Sequence, residues 1–174
     1  MIYMVEMDFR HPEREAEWHA WYLAHIAVLL TVPGFRASQR FRAVGAAPSP
    51  FLALHEVESA ALFESPAYRI RGGPASTGEW RGLQSNWHRN LLAGLEATPD
   101  VPAEACLLML RDAREVDPPP GIRVDWLEGV GLDRTIGWCG LAVLSDLAPV
   151  GDLVAGDPRI RLFRPISEKL RAAG

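Results

Sequence analysis

Residues 17–35 read EWHAWYLAHIAVLLTVPGF, with two tryptophans, a tyrosine and two histidines in the first nine positions. At about 100° per residue, Trp18, Trp21, Tyr22, His25, Leu29 and Val32 share one stripe, which predicts an amphipathic helix. His11-Pro12-Glu13 opens it, with proline in the first turn and acids at 13, 15 and 17 near the positive end of the helix dipole. Pro33-Gly34 closes it, because proline disfavours a helical predecessor and glycine permits the turn. His25 sits near the middle of the stripe. His19 falls off it, beside Leu23 and Leu30, as a peripheral or exposed side chain.

Outward from this helix the chain alternates like a sheet. Met1 to Asp8 and Phe35 to Arg42 read as strands, as does Phe51 to Glu58, with Phe51, Ala53, His55 and Val57 on one face. Ser59 caps a short helix through Phe63. RGGPASTGE (71–79) reads as a loop too polar and glycine-rich to pack, and Trp87 to Leu95 as a fourth strand. The order β-α-β-β-α-β is that of a ferredoxin-like unit. After Thr98-Pro99-Asp100 come four more strand-like runs, at Ala105–Leu110, Arg123–Leu132, Gly137–Leu144 and Arg159–Ile166. FLALHEVESAALFESPAY (51–68) and CGLAVLSDLAPVGDLVAGDP (139–158) echo one another, suggesting a second, degenerate unit. The expected architecture is α+β: a ferredoxin-like unit over 1–98 and a degenerate second one over 99–174, packed together. The second lacks a long helix between Arg111 and Ile122, where three prolines stand in a row.

Composition narrows the function. A net charge of −4 and arginines interspersed with acids give no electrostatic footprint for nucleic acid or anionic lipid. No run reaches the roughly 18–20 apolar residues of a membrane span. Lys169 is the one lysine, near the end of the chain, which disfavours Schiff-base chemistry. Cys106 and Cys139 stand outside any metal-binding or redox motif, and the start lacks a signal peptide's basic region; a reducing cytoplasm is expected. The five histidines show no HExxH or HxH spacing, so no metal site is expected. Phosphate-binding, dinucleotide and serine-elbow motifs are absent too.

The run WYLAHIAVLLTVPGF resembles the helix-and-turn signature of the EthD-like branch of the dimeric α+β barrel superfamily, through Trp21, Tyr22, His25, Leu29, Leu30, Pro33, Gly34 and Phe35. FLALHEVES (51–59) and SPAYR (65–69) are similar to later parts of that family, and the likeness covers roughly residues 1–96. It implies two sheets packed face to face into a barrel, helices outside, and a pocket between sheet and first helix. Relatives include isomerases, polyketide cyclases, cofactor-free monooxygenases and haem-handling proteins, and fold alone selects none of them. In several, a histidine of the first helix or of a strand is the acid or base, which favours His25.

Two readings of His25 stand side by side. As a core residue it is neutral and hydrogen-bonded; as a working base it is kept neutral by burial among aromatics. His55 has a similar pair of readings. If its face lines the barrel, small Ala53 leaves room for a ligand and His55 is a second catalytic group; otherwise it faces solvent or a carboxylate. Trp18, Trp21, Tyr22 and Trp87 are the candidate substrate-binding residues, with His88 beside the last. Glu6 with Asp8 and Glu56 with Glu58 read as solvated strand acids, and Glu15 with His19 as a helix salt bridge. The expected function is a small cofactor-independent isomerase, cyclase, lyase or monooxygenase acting by proton transfer on an apolar aromatic or polyketide-like molecule. The alternative is a non-catalytic small-molecule or haem-binding module. A bare outer face on the second unit, with Trp126 and Trp138 as candidates, predicts a homodimer.

Overall fold

The computed structural model describes residues 1–116, 118, 121–145 and 156–173. Eight antiparallel strands form its frame: β1 (Ile2–Phe9), β2 (Phe35–Ala43), β3 (Phe51–Val57), β4 (Gln84–Ala93), β5 (Cys106–Arg111), β6 (Asp125–Leu132), β7 (Trp138–Leu144) and β8 (Ile160–Pro165). Their spatial order is β3-β1-β4-β6-β7-β5-β8-β2, and β2 pairs back onto β3, so the sheet closes into a barrel within one chain. A two-residue strand, β9 (Leu170–Arg171), pairs with β2 as well. The first four strands lie in the order β2-β3-β1-β4, and the second four repeat it as β6-β7-β5-β8. Because closure is internal, no second copy is needed to complete the barrel.

The barrel is full. Ile2, Met4, Phe41, Leu52, Leu54, Leu92, Leu107, Met109, Leu127, Cys139, Leu141 and Phe163, drawn from all eight strands, make one buried cluster. An eight-stranded barrel has an interior just wide enough for side chains to fill. At one end of this interior Glu6 is buried, receiving Arg111 and Arg161. Glu56, also buried, pairs with Lys169 at 2.6 Å and accepts from the Thr98 amide. Neither acid is on a solvated face, as the alternation alone suggests; strands covered on both sides bury what either face carries. Cys106 and Cys139 are free and buried.

Helix α1 (Glu15–Leu29) and the short α2 (Pro66–Arg71) cover the outside of the first four strands. A 3₁₀ turn over Pro12–Arg14 leads into α1, and Gly34, at φ 99°, takes the left-handed conformation that turns the chain into β2. Trp18, Tyr22, Ile26 and Leu29 are the buried face of α1, against Tyr3, Val5, Met7 and Phe9 of β1 and Phe51, Ala53 and Val57 of β3. The buried arc thus centres near Tyr22 and includes Ile26, leaving Trp21 and His25 half-buried on its flank. Each fully buried residue of this kind contributes about 1.5–3 kcal/mol, which outweighs intrinsic propensity in holding a 15-residue helix.

Two further expectations change. The stretch after α2 is no unpacked loop: Pro74–Leu83 coils as 3₁₀ turns, and Trp80 is buried against Phe9 and Trp21. The outer face of the second four strands is not bare either. Ala113, with the partly buried Val116, Ile122, Val124 and Trp126, packs on Leu108, Leu110, Ala142, Leu144, Ile160 and Leu162. Arg114 lies over the rings of Trp138 (4.0 Å) and Trp126 (5.8 Å), the two residues on which the sequence reading places a dimer interface. Residues 146–155, half of the internal echo, and Asp117, Pro119 and Pro120 of the proline-rich connection lie outside the described residues. No helix of the described residues is long and apolar enough to cross a membrane.

Candidate functional site

Strand alternation and the pairing register decide what meets beneath α1. Tyr3 and Val5 point outward from β1, Ala53 and His55 from β3, and the ladder sets Tyr3 opposite His55 and His55 opposite Ser38. His55 therefore faces the helix, not the filled barrel and not solvent. It is 1% exposed, stacked on Tyr3 at 5.1 Å with Phe35 edge-on at 5.8 Å. From above, α1 brings His25, stacked on Trp21 at 5.2 Å and edge-on to Tyr22 at 6.2 Å.

Between these elements lies a cavity lined by Trp21, Tyr22, His25, His55, Tyr3 and Trp87, with Tyr68, Thr77 and Gln84 among its polar edge. Its free volume is about 30 Å³, room for one or two small polar atoms. It borders an outer space of about 210 Å³, lined by Thr77, Arg81, Gln84 and Trp87. Of the sequence candidates, His25, His55, Trp21, Tyr22 and Trp87 converge here. Trp18 does not: it is fully buried in the core, stacked on Phe9 at 4.5 Å. His88 is the neighbour of Trp87 on β4, so its side chain points to the opposite face.

Four contributors escape the sequence reading. Tyr3 and Gln84 sit in ordinary strand patterns, and Tyr68 and Thr77 in segments without periodicity. The fifth residue missed is Arg40, buried under α1 and bonded to His19 Nδ1 at 2.8 Å. That bond also corrects His19. It is half-buried, tilted against Trp18 and 3.5 Å from Glu15, the helix pair the spacing predicts.

Burial sets the charge state of the cavity. It lowers the pKa of His25 from the ordinary 6.5 and takes His55 down to about 3, with His25 and Arg40 adding to the latter shift. Burial likewise raises the Tyr22 phenol to about 12, and burial and then Tyr68 push Tyr3 well above its ordinary value. Both imidazoles and both phenols are therefore neutral at neutral pH. His25 is able to accept a proton there. His55 stays neutral down to about 3, takes up no second proton near neutrality and serves as a fixed hydrogen-bonding group. Its Nδ1 is buried with no partner among the described residues. Among the described residues no cluster of three or more His, Cys, Asp and Glu is placed to hold a metal ion.

The His55 shift makes stability depend on pH. Unfolded, a histidine takes up protons below its ordinary 6.5; folded, His55 does not until about 3. Between those values the unfolded state binds more protons, so stability is fully present above 6.5 and falls with pH through the window. Urea midpoints should drop on acidification, with His55 contributing up to about 1.4 kcal/mol per pH unit. His55→Phe should flatten that slope; an unchanged slope contradicts the assignment.

No protein-family model matches the chain, and no curated protein sequence does. Solved structures share its shape. One, described as an anthrone oxidase-like protein, is similar with a TM-score of 0.60 and 13% identity, over 99% of this chain and 93% of the other. A second, a "putative monooxygenase from Lactobacillus acidophilus NCFM", is similar with a TM-score of 0.56 and 6% identity, over 99% and 96%. At such identities the likeness concerns the fold alone, an antiparallel barrel with helices on its outside.

Proposed function

We propose that the chain is a small enzyme, working without a bound cofactor, that takes a proton from an aromatic or polyketide-like molecule, with His25 as the base. One observation carries this reading: two neutral histidines, from a helix and a strand distant in sequence, meet at one aromatic-walled cavity. A buried neutral imidazole suits general-base work near neutral pH. The inner space takes a single hydroxyl or carbonyl, which His55 would bind, while the ring of the substrate lies in the outer space against Trp87. The two similar structures, one described as anthrone oxidase-like and one as a monooxygenase, suit such a substrate.

The spaces together are smaller than the roughly 300–1,000 Å³ of pockets for drug-sized ligands. They do not fit a haem macrocycle, and no haem role is proposed. We read the repeated strand order as two ferredoxin-like units in tandem, 1–98 and 99–174, the first of the EthD-like branch.

Solvent-deuterium exchange tests the base directly, whatever reaction follows. Anthrone and simpler aryl ketones incubated with the protein in D₂O should exchange their acidic carbon-bound hydrogens faster than in buffer. His25→Gln should remove the acceleration; equal exchange by the two proteins would contradict the reading.

A further inference from the structure

Arg40 is 2% exposed, yet among the described residues no carboxylate lies within ion-pair reach of it. Its Nη1 meets His19 Nδ1, a neutral acceptor, and its guanidinium carbon stands 3.9 Å from the Tyr22 ring centre and 4.8 Å from that of Trp18. Nη2 is buried with no partner among the described residues. Burial lowers its pKa, but only to about 10, so the charge persists at neutral pH.

A buried cation without a counter-ion is costly to fold around, so what faces Arg40 matters. From α1 come Glu15, His19 and Tyr22. Glu15 is already held by Arg42 of the same strand at 2.8 Å, which leaves Arg40 the uncompensated charge. From β3 comes His55, on which the charge of Arg40 acts. Two positions along β2 on the Arg40 face, Ser38 Oγ is buried and, among the described residues, without a partner, as is His55 Nδ1 opposite it. Three orphaned polar atoms thus run from Arg40 to the cavity wall, and Tyr22 lies both on Arg40 and on the cavity.

We propose that the cavity takes its ligand as an anion, a phenolate or enolate, held by the positive field of Arg40 behind Tyr22. This rests on the proposed function and names its substrate class: acidic hydroxyaromatics and enolisable aryl ketones. When His25 removes the proton, the proton stays on its imidazole and the electron pair stays on the organic fragment as the enolate or phenolate. No oxidant enters that step. Arg40 touches neither base nor substrate; it is a positioning residue, acting through Tyr22 and the low dielectric around it.

Para-nitrophenol reads this out, because its phenolate alone is yellow. Bound to the wild-type protein, the probe should ionise about one pH unit below its free value, about tenfold more phenolate at a given pH, its proton passing to the buffer. Arg40→Met should abolish the shift and Arg40→Lys should restore most of it. Glu15→Gln, which removes the carboxylate of α1 that acts on Arg40, should lower the midpoint further, and it decides the matter if Arg40→Met does not fold. A probe that binds as the neutral phenol, or a midpoint indifferent to both the Arg40 and Glu15 substitutions, overturns the proposal while leaving His25 as base. A probe that does not bind overturns the pocket reading itself, and this proposal with it.

Discussion

Alanine at His25 should cost about 10²–10⁴-fold in turnover on any substrate the protein accepts, with the fold intact. Half of that expectation is structural. His25 is half-buried on the flank of α1, and its neighbours are the faces and edges of Trp21 and Tyr22, which remain when the imidazole goes. A change in such a place removes about 1 kcal/mol of stability. The other half is chemical: the cavity has one group able to take a proton at neutral pH, since burial holds His55 neutral down to about 3. The pH profile carries the same signature. Activity that needs neutral His25 should fall with acid only below its lowered pKa, so the plateau extends beneath the ordinary 6.5. A folded His25→Ala protein with wild-type turnover would remove the base from the account.

Trp18→Ala should do the reverse, costing about 3–5 kcal/mol of stability. Trp18 is fully buried, stacked on Phe9, edge-on to Phe51 and Tyr22, with the Arg40 guanidinium over its ring. Truncation opens a void at the junction of α1, β1 and β3, where the surrounding strands are fixed by their ladders and close poorly around it. For a domain of this size each kcal/mol shifts the melting temperature by about 2–4 °C, so a drop of about 10 °C is expected by calorimetry. Trp21→Ala, half-exposed at the cavity, should leave melting nearly unchanged and weaken ligand binding instead. If the two substitutions exchange these effects, the phase of α1 is wrong.

The same two tryptophans show what the sequence makes legible. A helical period ending at Pro33-Gly34 is a local signal, and it places the aromatic face of α1 and the turn into β2 correctly. The centre of that face is less legible, because Trp21 and His25 are as suited to a pocket wall as Ile26 is to a core, and only packing chooses between them. Alternation puts His55 with Ala53 but does not say which side of the sheet is helix and which is lumen. That depends on barrel closure through β4–β6 and β8–β2, pairings between residues far apart in the chain. For the same reason Glu6 and Glu56 read as solvated acids, and Arg40 as an ordinary strand arginine. Trp80 is a lone aromatic among glycines, with no period to mark it as buried.

The proposed site lies outside the barrel, under α1, with His25 and His55 facing one ligand. A crystal structure grown with para-nitrophenol tests it most directly. Density is expected between α1 and the outer face of β1 and β3, with the phenol oxygen within hydrogen-bond distance of His25 or His55 and the ring against Trp87. Density in the barrel interior, or on another face with the α1 cavity empty, would contradict it.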